Sequence, residues 1–324
     1  MSVLVLLETR NDSLDRGSLG ILGKAASLGA GPVGALICGD GPLADLAREA
    51  GRFGAGRVHV AEHAALGPPL PQPRVDAIAA VVEGSGYDTV LISNSVLGAD
   101  VAAGVAARLD AGLNWDLVDI EWRDGEPIGT RLALQDSVLV EVGWASERRV
   151  GLFRPGSLDP TTDAPADPDI EQVEVHFEAH SAGVRLLSRE VVAGDEGVAL
   201  EDADVIVAGG MGLGGPEGFR LAESLAAVLG GAVGASRAVV YAGWYPRSAQ
   251  IGQTGKVVSP KLYLALGVSG AIQHKVGMQG SKTILSINKD PAAPIFEFSD
   301  LAVVGDVHAI VPRLTELLQQ RRGS

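Results

Sequence analysis

The sequence predicts an α/β protein of two domains, residues 1–185 and 186–324. Three observations carry that reading. In both halves short apolar runs alternate with stretches of helical spacing, the order that builds parallel sheets covered by helices. From residue 117 a block of strand-and-turn sequence interrupts this rhythm. Charge also divides unevenly: residues 1–200 carry 15 basic and 30 acidic side chains, net −15, whereas residues 201–324 carry 11 and 10, net +1.

In the first domain SVLVLLE at 2–8 and VGALICG at 33–39 read as buried strands. RVHVAEH at 57–63 alternates as a half-covered strand does, and DTVLISNS at 88–95 is a fourth candidate. LADLAREA at 43–50, VDAIAAVVEGS at 75–85 and VAAGVAARLDAGL at 101–113 show helical spacing. Beyond 117, LVDIEWRDGEPIGTRLAL, SVLVEVG, RRVGLFRPG and IEQVEVHFEAH read as short strands, with a hairpin turn at Asp124-Gly125. DPTTDAPADPD at 159–169 is a loop, and residues 183–201 connect the domains.

The second domain resumes the alternation. ADVIVAGG at 203–210 is a strand ending in glycines, and PEGFRLAESLAAVLG at 216–230 is a helix with proline at its start. AVVYAG at 238–243, LYLALG at 262–267, TILSIN at 283–288 and AVVGD at 302–306 are read as further strands. HAIVPRLTELLQQRR at 308–322 closes the chain as an amphipathic helix whose basic end suits a helix C-terminus.

Composition excludes several classes. No apolar run approaches the roughly 20 residues of a membrane span. The N-terminus has no basic region ahead of its apolar run, which argues against a secretory signal. The single cysteine, Cys38, rules out an internal disulfide framework, suits a reducing cytoplasm, and is expected as a buried strand-end thiol. An acidic first half argues against nucleic acid. The pairs His59/His63 and His176/His180 lack a companion set of cysteines or carboxylates, so no metal site is expected. No Ser–His–Asp arrangement is found, and no catalytic residue is assigned.

One stretch runs against the acidic trend. Between Ser224 and Lys289 there is no Asp or Glu, but there are seven basic residues: Arg237, Arg247, Lys256, Lys261, Lys275, Lys282 and Lys289. That is too sparse for a polyanion track and fits a nucleotide-sized anion such as a pyrophosphate. In an open α/β sheet, ligands sit at the carboxyl ends of strands. Ser236, Arg237, Gln253 and Thr254 flank one predicted strand. Ser269 and Gly270 follow another, where a helix is expected to start with Ser269 as its cap and Gln273 one turn on, beside His274. Asn288 and Asp306 end two more and could take a base or a ribose. GMGLGG at 210–215 satisfies G-x-G-x-x-G, but the usual acidic residue some 20 positions on is missing, so a glycine turn demanded by the backbone is the better reading.

At this point a resemblance enters. LYLALGVSGAIQHKVGMQGSKTILSINKDPAAPIF, preceded by AVGASRAVVYAGWYPRSAQIGQTGKVVSPKLY, closely resembles the electron-transfer flavoprotein alpha subunit family. The likeness is specific through 232–324, looser through 203–231, and rests mainly on strand order before that. It implies an α/β fold with an N-terminal βαβ nucleotide-binding-like domain, packed against a beta subunit, and a C-terminal open parallel-sheet FAD-binding domain. It implies a heterodimer with AMP in the beta subunit. It implies, further, that electrons are taken from acyl-CoA and related dehydrogenases and passed singly to a quinone oxidoreductase or similar acceptor.

By the same resemblance Arg237 lies over the flavin ring, Thr254 bonds flavin N5 with Gly252 and Gln253 in the same turn, and His274 lies near flavin O2. Ser236, Ser269 and Gln273, with Gly267 and Gly270 beside them, resemble pyrophosphate contacts. Asn288, Lys289 and Asp306 resemble those at the adenosine end. Two positions depart from the pattern: Met211 stands where many relatives have arginine, and Tyr241 where many have aspartate. The alternatives are an NAD-dependent oxidoreductase and a nucleotide-sensing interaction module without redox chemistry.

Overall fold

Five consecutive apolar residues, VLVLL, form β1 (Val3–Leu7), and all five are buried. A strand with both faces covered must alternate its side chains between two apolar layers. Val3, Val5 and Leu7 enter one layer, and Leu4 and Leu6 the other. The computed structural model describes residues 2–10, 12–29, 33–134, 137–188 and 200–322. It divides into two units, Met1–Arg189 and Glu190–Ser324.

In the first unit a ribbon of β2 (Thr9–Arg10) and β3 (Ser13–Leu14) leads into α1 (Arg16–Ser27). The Asp15 carboxylate caps α1 by accepting from the Ser18 N–H. There follow β4 (Val33–Gly39), α2 (Ala44–Gly51), β5 (Arg57–Glu62), α3 (Pro71–Ser85), β6 (Thr89–Ser93) and α4 (Val96–Leu109). Then come β7 (Gly112–Arg123), β8 (Glu126–Ala133), β9 (Val138–Val142), β10 (Arg149–Phe153), β11 (Asp169–Gln172) and the single turn α5 (Ala179–Ala182).

The nine strands run β11-β5-β4-β1-β6-β10-β7-β8-β9. All pairs are parallel except β7–β8 and β8–β9. Helices α1 and α2 cover the layer of Val5, and α3 and α4 cover that of Leu4. The Asp124-Gly125 turn is as expected. Arg123 pairs with Glu126 across it, and both turn residues have positive φ (55° and 86°). Cys38 is buried in β4, and burial pushes its thiol pKa up to about 12. The strand read within residues 170–180 is shorter than that segment. Only Asp169–Gln172 pairs, on the edge of β5. Val173, Val175 and Phe177 turn instead onto the helix-covered layer, where the Asp76 carboxylate holds the Glu178 N–H at 3.0 Å.

The second unit comprises β12 (Val205–Gly209), α6 (Phe219–Leu229), β13 (Ala232–Ser236), α7 (Arg237–Tyr241), β14 (Gln250–Ile251) and β15 (Leu262–Leu266). It ends with α8 (Ile272–Lys275), β16 (Ile284–Asn288), β17 (Leu301–Val304) and α9 (Val307–Arg322). Its sheet order is β14-β13-β12-β15-β16-β17, all parallel. The chain steps one way from β12 to β14, then returns to β12 and steps the other way. The switch point therefore lies between β12 and β15, and an open sheet of this order receives ligands at the carboxyl ends beside it.

Two expectations for this unit are corrected. AVVYAG is not a strand: AVGAS at 232–236 is the strand, and Arg237–Tyr241 is a short helix closed by the Ala242 N–H on the Ala238 carbonyl. A short apolar run has no periodicity to separate the two. The helix expected from Pro216 starts as a 3-10 turn, Pro216–Gly218, and becomes α-helical at Phe219. Among the described residues no helix is long and apolar enough to cross a membrane.

Candidate functional site at the carboxyl edge of the second sheet

Three strand ends build the site. β13 ends at Ser236, so that Arg237 opens α7. After β14 the chain folds tightly: the Lys256 N–H bonds the Gln250 carbonyl, and the Gly252 N–H bonds the Lys256 carbonyl. This exposes the Gln253-Thr254 tip. After β15 the segment from Gly267 to His274 crosses the same edge, and the Gln253 N–H donates to the Gln273 carbonyl at 2.7 Å, tying the two loops together.

Between these segments lies a cavity of about 370 Å³, within the size range of small-molecule clefts. Of the residues expected to contact the ligand, Ser236, Arg237, Gly252, Gln253 and Thr254 line it, as do Ser269, Gln273 and His274. Gly267, Gly270, Asn288, Lys289 and Asp306 lie outside that lining. Ser269 does not cap a helix. Gly270 has φ +86°, a conformation that ends any helix begun at Ser269, and α8 spans four residues without a side-chain cap.

The outer five have other work. Gly267 takes the Gly212 N–H on its carbonyl at 3.0 Å, and a Cβ on Gly210 would come within 2.2 Å of that oxygen. GMGLGG is therefore the close-packed backbone turn that the missing acidic residue suggested. Met211 is exposed within it. Asn288 donates from Nδ2 to the Val268 carbonyl at 2.9 Å and accepts the Asp290 N–H, so it braces the turn beside the cavity. Lys289 pairs with Asp306 at 3.1 Å. Asp306 also receives the His308 N–H, at the start of α9, and these bonds hold its carboxyl below the usual range.

The acid-free stretch is not uniformly an anion site. Lys256, Lys261 and Lys289 are each paired with a carboxylate from just outside it, namely Glu201, Asp204 and Asp306. Of its seven basic residues, Arg237 lines the cavity. Its guanidinium rests over the Tyr241 ring.

His274 is 6 % exposed. Desolvation pushes its pKa down to about 4 against the opposing pull of the Ile251 backbone, so the ring is neutral at physiological pH. Its Nε2 bonds the Tyr263 hydroxyl at 2.9 Å. Among the described residues its Nδ1 is buried with no partner of hydrogen-bonding geometry, the Ile251 backbone being near the ring but short of that geometry, an arrangement expected where a ligand atom completes the set.

Sequence reasoning missed two contributors, Gln250 and Tyr263, and noted a third, Tyr241, only as a departure from the family pattern. Tyr241 and Gln250 line the cavity; Gln250 is 3 % exposed and donates to the Thr254 hydroxyl at 3.1 Å. Tyr263 was read as part of an apolar strand, although a tyrosine there must find a partner for its hydroxyl.

The lining is rich in donors: a guanidinium, three amides, hydroxyls and an imidazole. It suits an acceptor-rich ring system with anionic character, and the unpartnered Nδ1 of His274 offers one further polar contact to it. Comparisons agree with this chemistry. Residues 199–279 match the family model described as the electron transfer flavoprotein FAD-binding domain, and residues 3–178 the one described as the electron transfer flavoprotein domain. The electron transfer flavoprotein subunit alpha of Mycobacterium leprae is 39 % identical over 321 residues, covering 99 % of each chain. That of Thermoanaerobacterium thermosaccharolyticum is 37 % identical over 332 residues, covering 98 % of each. Protein FixB of Azotobacter vinelandii is 37 % identical, covering 92 % of this chain and 84 % of its own. The chain belongs to the electron transfer flavoprotein alpha-subunit family.

Proposed function

We propose that this chain is the FAD-carrying subunit of a heterodimeric electron carrier. It takes electrons from dehydrogenases, acyl-CoA dehydrogenases among them, and passes them one at a time to a quinone oxidoreductase or similar acceptor. The observation that carries the reading is convergence. Arg237, Thr254 and His274 come from three different strand ends and line one cavity, in the unit matched to an FAD-binding domain.

Bound FAD would supply reversible one- and two-electron chemistry. The chain's own groups would hold it and set its potential. Arg237 supplies a positive charge that favours added negative charge on the ring. Thr254 accepts from Gln250, which leaves its own hydroxyl proton to donate to a ring nitrogen. His274 supplies a neutral dipole. Ser236, Ser269 and Gln273 offer hydroxyl and amide contacts toward the pyrophosphate, with Gly252 and Gln253 giving close backbone approach. Gly267 and Gly270 would lie beside the pyrophosphate contacts, and Asn288, Lys289 and Asp306, on the same sheet edge, would extend the site toward the adenosine. None of these groups is asked to transfer a proton to an organic substrate.

The first unit would pack against a beta subunit that holds AMP as a structural nucleotide, and the pair would work in the cytoplasm. The domain boundary would fall in the segment joining the units, near residue 185.

The test is co-expression with the beta subunit and a stepwise reductive titration followed in the visible range. A yellow complex whose absorbance bleaches in two one-electron steps supports the reading. A colourless complex that binds adenine nucleotide overturns it in favour of a nucleotide sensor.

A further inference from the structure

Tyr263 is the second residue of β15 and has 0 % exposure. Among the described residues its hydroxyl has one hydrogen-bond partner, Nε2 of His274 at 2.9 Å. The rings meet edge-on, with centroids 6.2 Å apart. A phenol can donate or accept, and so can either nitrogen of a neutral imidazole, so two arrangements must be compared.

If Nε2 carries the proton and donates to the phenol oxygen, two buried groups are left without partners: the phenol proton and the Nδ1 lone pair. If the phenol donates to Nε2, its proton is used and the imidazole proton moves to Nδ1. One group then awaits a partner, and it is a donor on a side chain that lines the cavity. Leaving fewer buried polar groups unmade favours the second arrangement.

We propose that Tyr263 is a positioning residue of the cofactor site: by donating to Nε2 it locks His274 in the Nδ1–H tautomer and presets the imidazole as an uncharged donor to a carbonyl oxygen of the bound flavin ring. This rests on the FAD reading for the identity of the acceptor, but not for the tautomer. Burial supports it independently, because it keeps His274 neutral. Division of labour follows. Arg237 brings charge at the exposed side of the cavity, and His274 brings an oriented dipole at the buried side.

The experiment uses the full heterodimer with ¹⁵N-labelled histidine, before and after removal of FAD. Long-range proton–nitrogen correlation assigns the protonated ring nitrogen. The expected result is a protonated Nδ1 and an unprotonated, hydrogen-bonded Nε2 in both forms. Tyr263→Phe should convert His274 to the other tautomer or a mixture and weaken FAD binding about 3- to 10-fold. A tyrosine needed only for packing would move the melting temperature and leave the tautomer alone, so an unchanged tautomer in Tyr263→Phe overturns the proposal. Should that variant fail to fold, the wild-type spectrum decides: a protonated Nε2 overturns it. A protonated Nδ1 in a protein that binds no flavin upholds the tautomer lock and overturns the flavin as its acceptor.

Discussion

Arg237 holds its guanidinium over the ring of Tyr241, with Cζ 4.8 Å from the ring centroid and Nη2 3.3 Å from the hydroxyl oxygen. The two residues are one helical turn apart on α7, and both line the cavity. An aromatic face steadies a cation without neutralising it, whereas a carboxylate in its place would cancel the charge. Tyr241 therefore leaves Arg237 with its full field toward the ligand.

Arg237→Ala is expected to lower the one-electron potential of the bound flavin. A charge-assisted interaction is worth about 1.5–3 kcal/mol, or roughly 60–130 mV for one electron. Tyr241→Asp should shift the potential the same way by a smaller amount, and thermal unfolding should barely change because both side chains are exposed. A redox titration of flavinated Arg237→Ala with wild-type potentials would contradict this role.

The turn at Gly210–Gly212 and the end of β15 pack backbone on backbone. A Cβ on Gly267 would lie 2.6 Å from the Gly212 Cα, and Gly267 has φ +62°. Gly267→Ala combines overpacking with left-handed strain, together about 2–5 kcal/mol. Urea denaturation should show that loss, accompanied by weaker FAD binding since Asn288 and Val268 brace the same turn. Gly230→Ala is the control: φ is +70°, yet nothing lies within 4 Å of its added Cβ, so it should cost only the strain of about 1–2 kcal/mol.

Much of this was legible in the sequence because the signals were local. VLVLL and VGALIC declare buried parallel strands by having no polar face, and Asp124-Gly125 declares its turn by residue type. At the site, Ser269 follows a strand that was read correctly, whereas Ser236 and Thr254 were placed beside AVVYAG, which is a helix; Ser236 in fact ends β13 and Thr254 follows β14. What escaped depends on contacts between distant segments. AVVYAG has the composition of a strand, and only the extended Ser236 before it and the Ala238–Ala242 bond show the helix. Nothing in the spacing of Tyr263 and His274 announces that a strand residue and a helix residue share a buried hydrogen bond. The acid-free run misled for the same reason, since Glu201, Asp204 and Asp306 reach back in space to neutralise three of its lysines.

His274 makes the second unit sensitive to acid. Its folded pKa of about 4 lies below the ordinary 6.5 because burial disfavours the imidazolium. For a depressed base the stabilising contribution is present above the unfolded pKa and disappears as pH falls through the folded one. Stability should therefore decline between pH 6.5 and pH 4 by up to about 3 kcal/mol. Comparing denaturant midpoints of wild type and His274→Gln across that window tests it. Equal slopes for the two proteins would remove His274 as the cause.

Glu8, at the end of β1, gives the first unit the opposite dependence. Burial raises its pKa from 4.5 to about 7, aided by Asp15 and opposed by the Ser95 hydroxyl, which donates to Oε1 and Oε2 at 2.7 and 2.8 Å, and by the charges of Arg74 and Arg10. Because the folded pKa exceeds the unfolded one, its contribution is full below pH 4.5 and is lost as pH rises through 7. An ionised Glu8 at pH 8 then costs up to about 3 kcal/mol relative to the protonated form. Glu8→Gln keeps the shape, can still accept from Ser95, and carries no charge. It should match wild type near pH 4.5 and exceed it in stability at pH 8. If denaturation of the full chain shows Glu8→Gln no more stable at pH 8 than at pH 4.5, relative to wild type, then Glu8 is already ionised at low pH and water or a partner surface must solvate it.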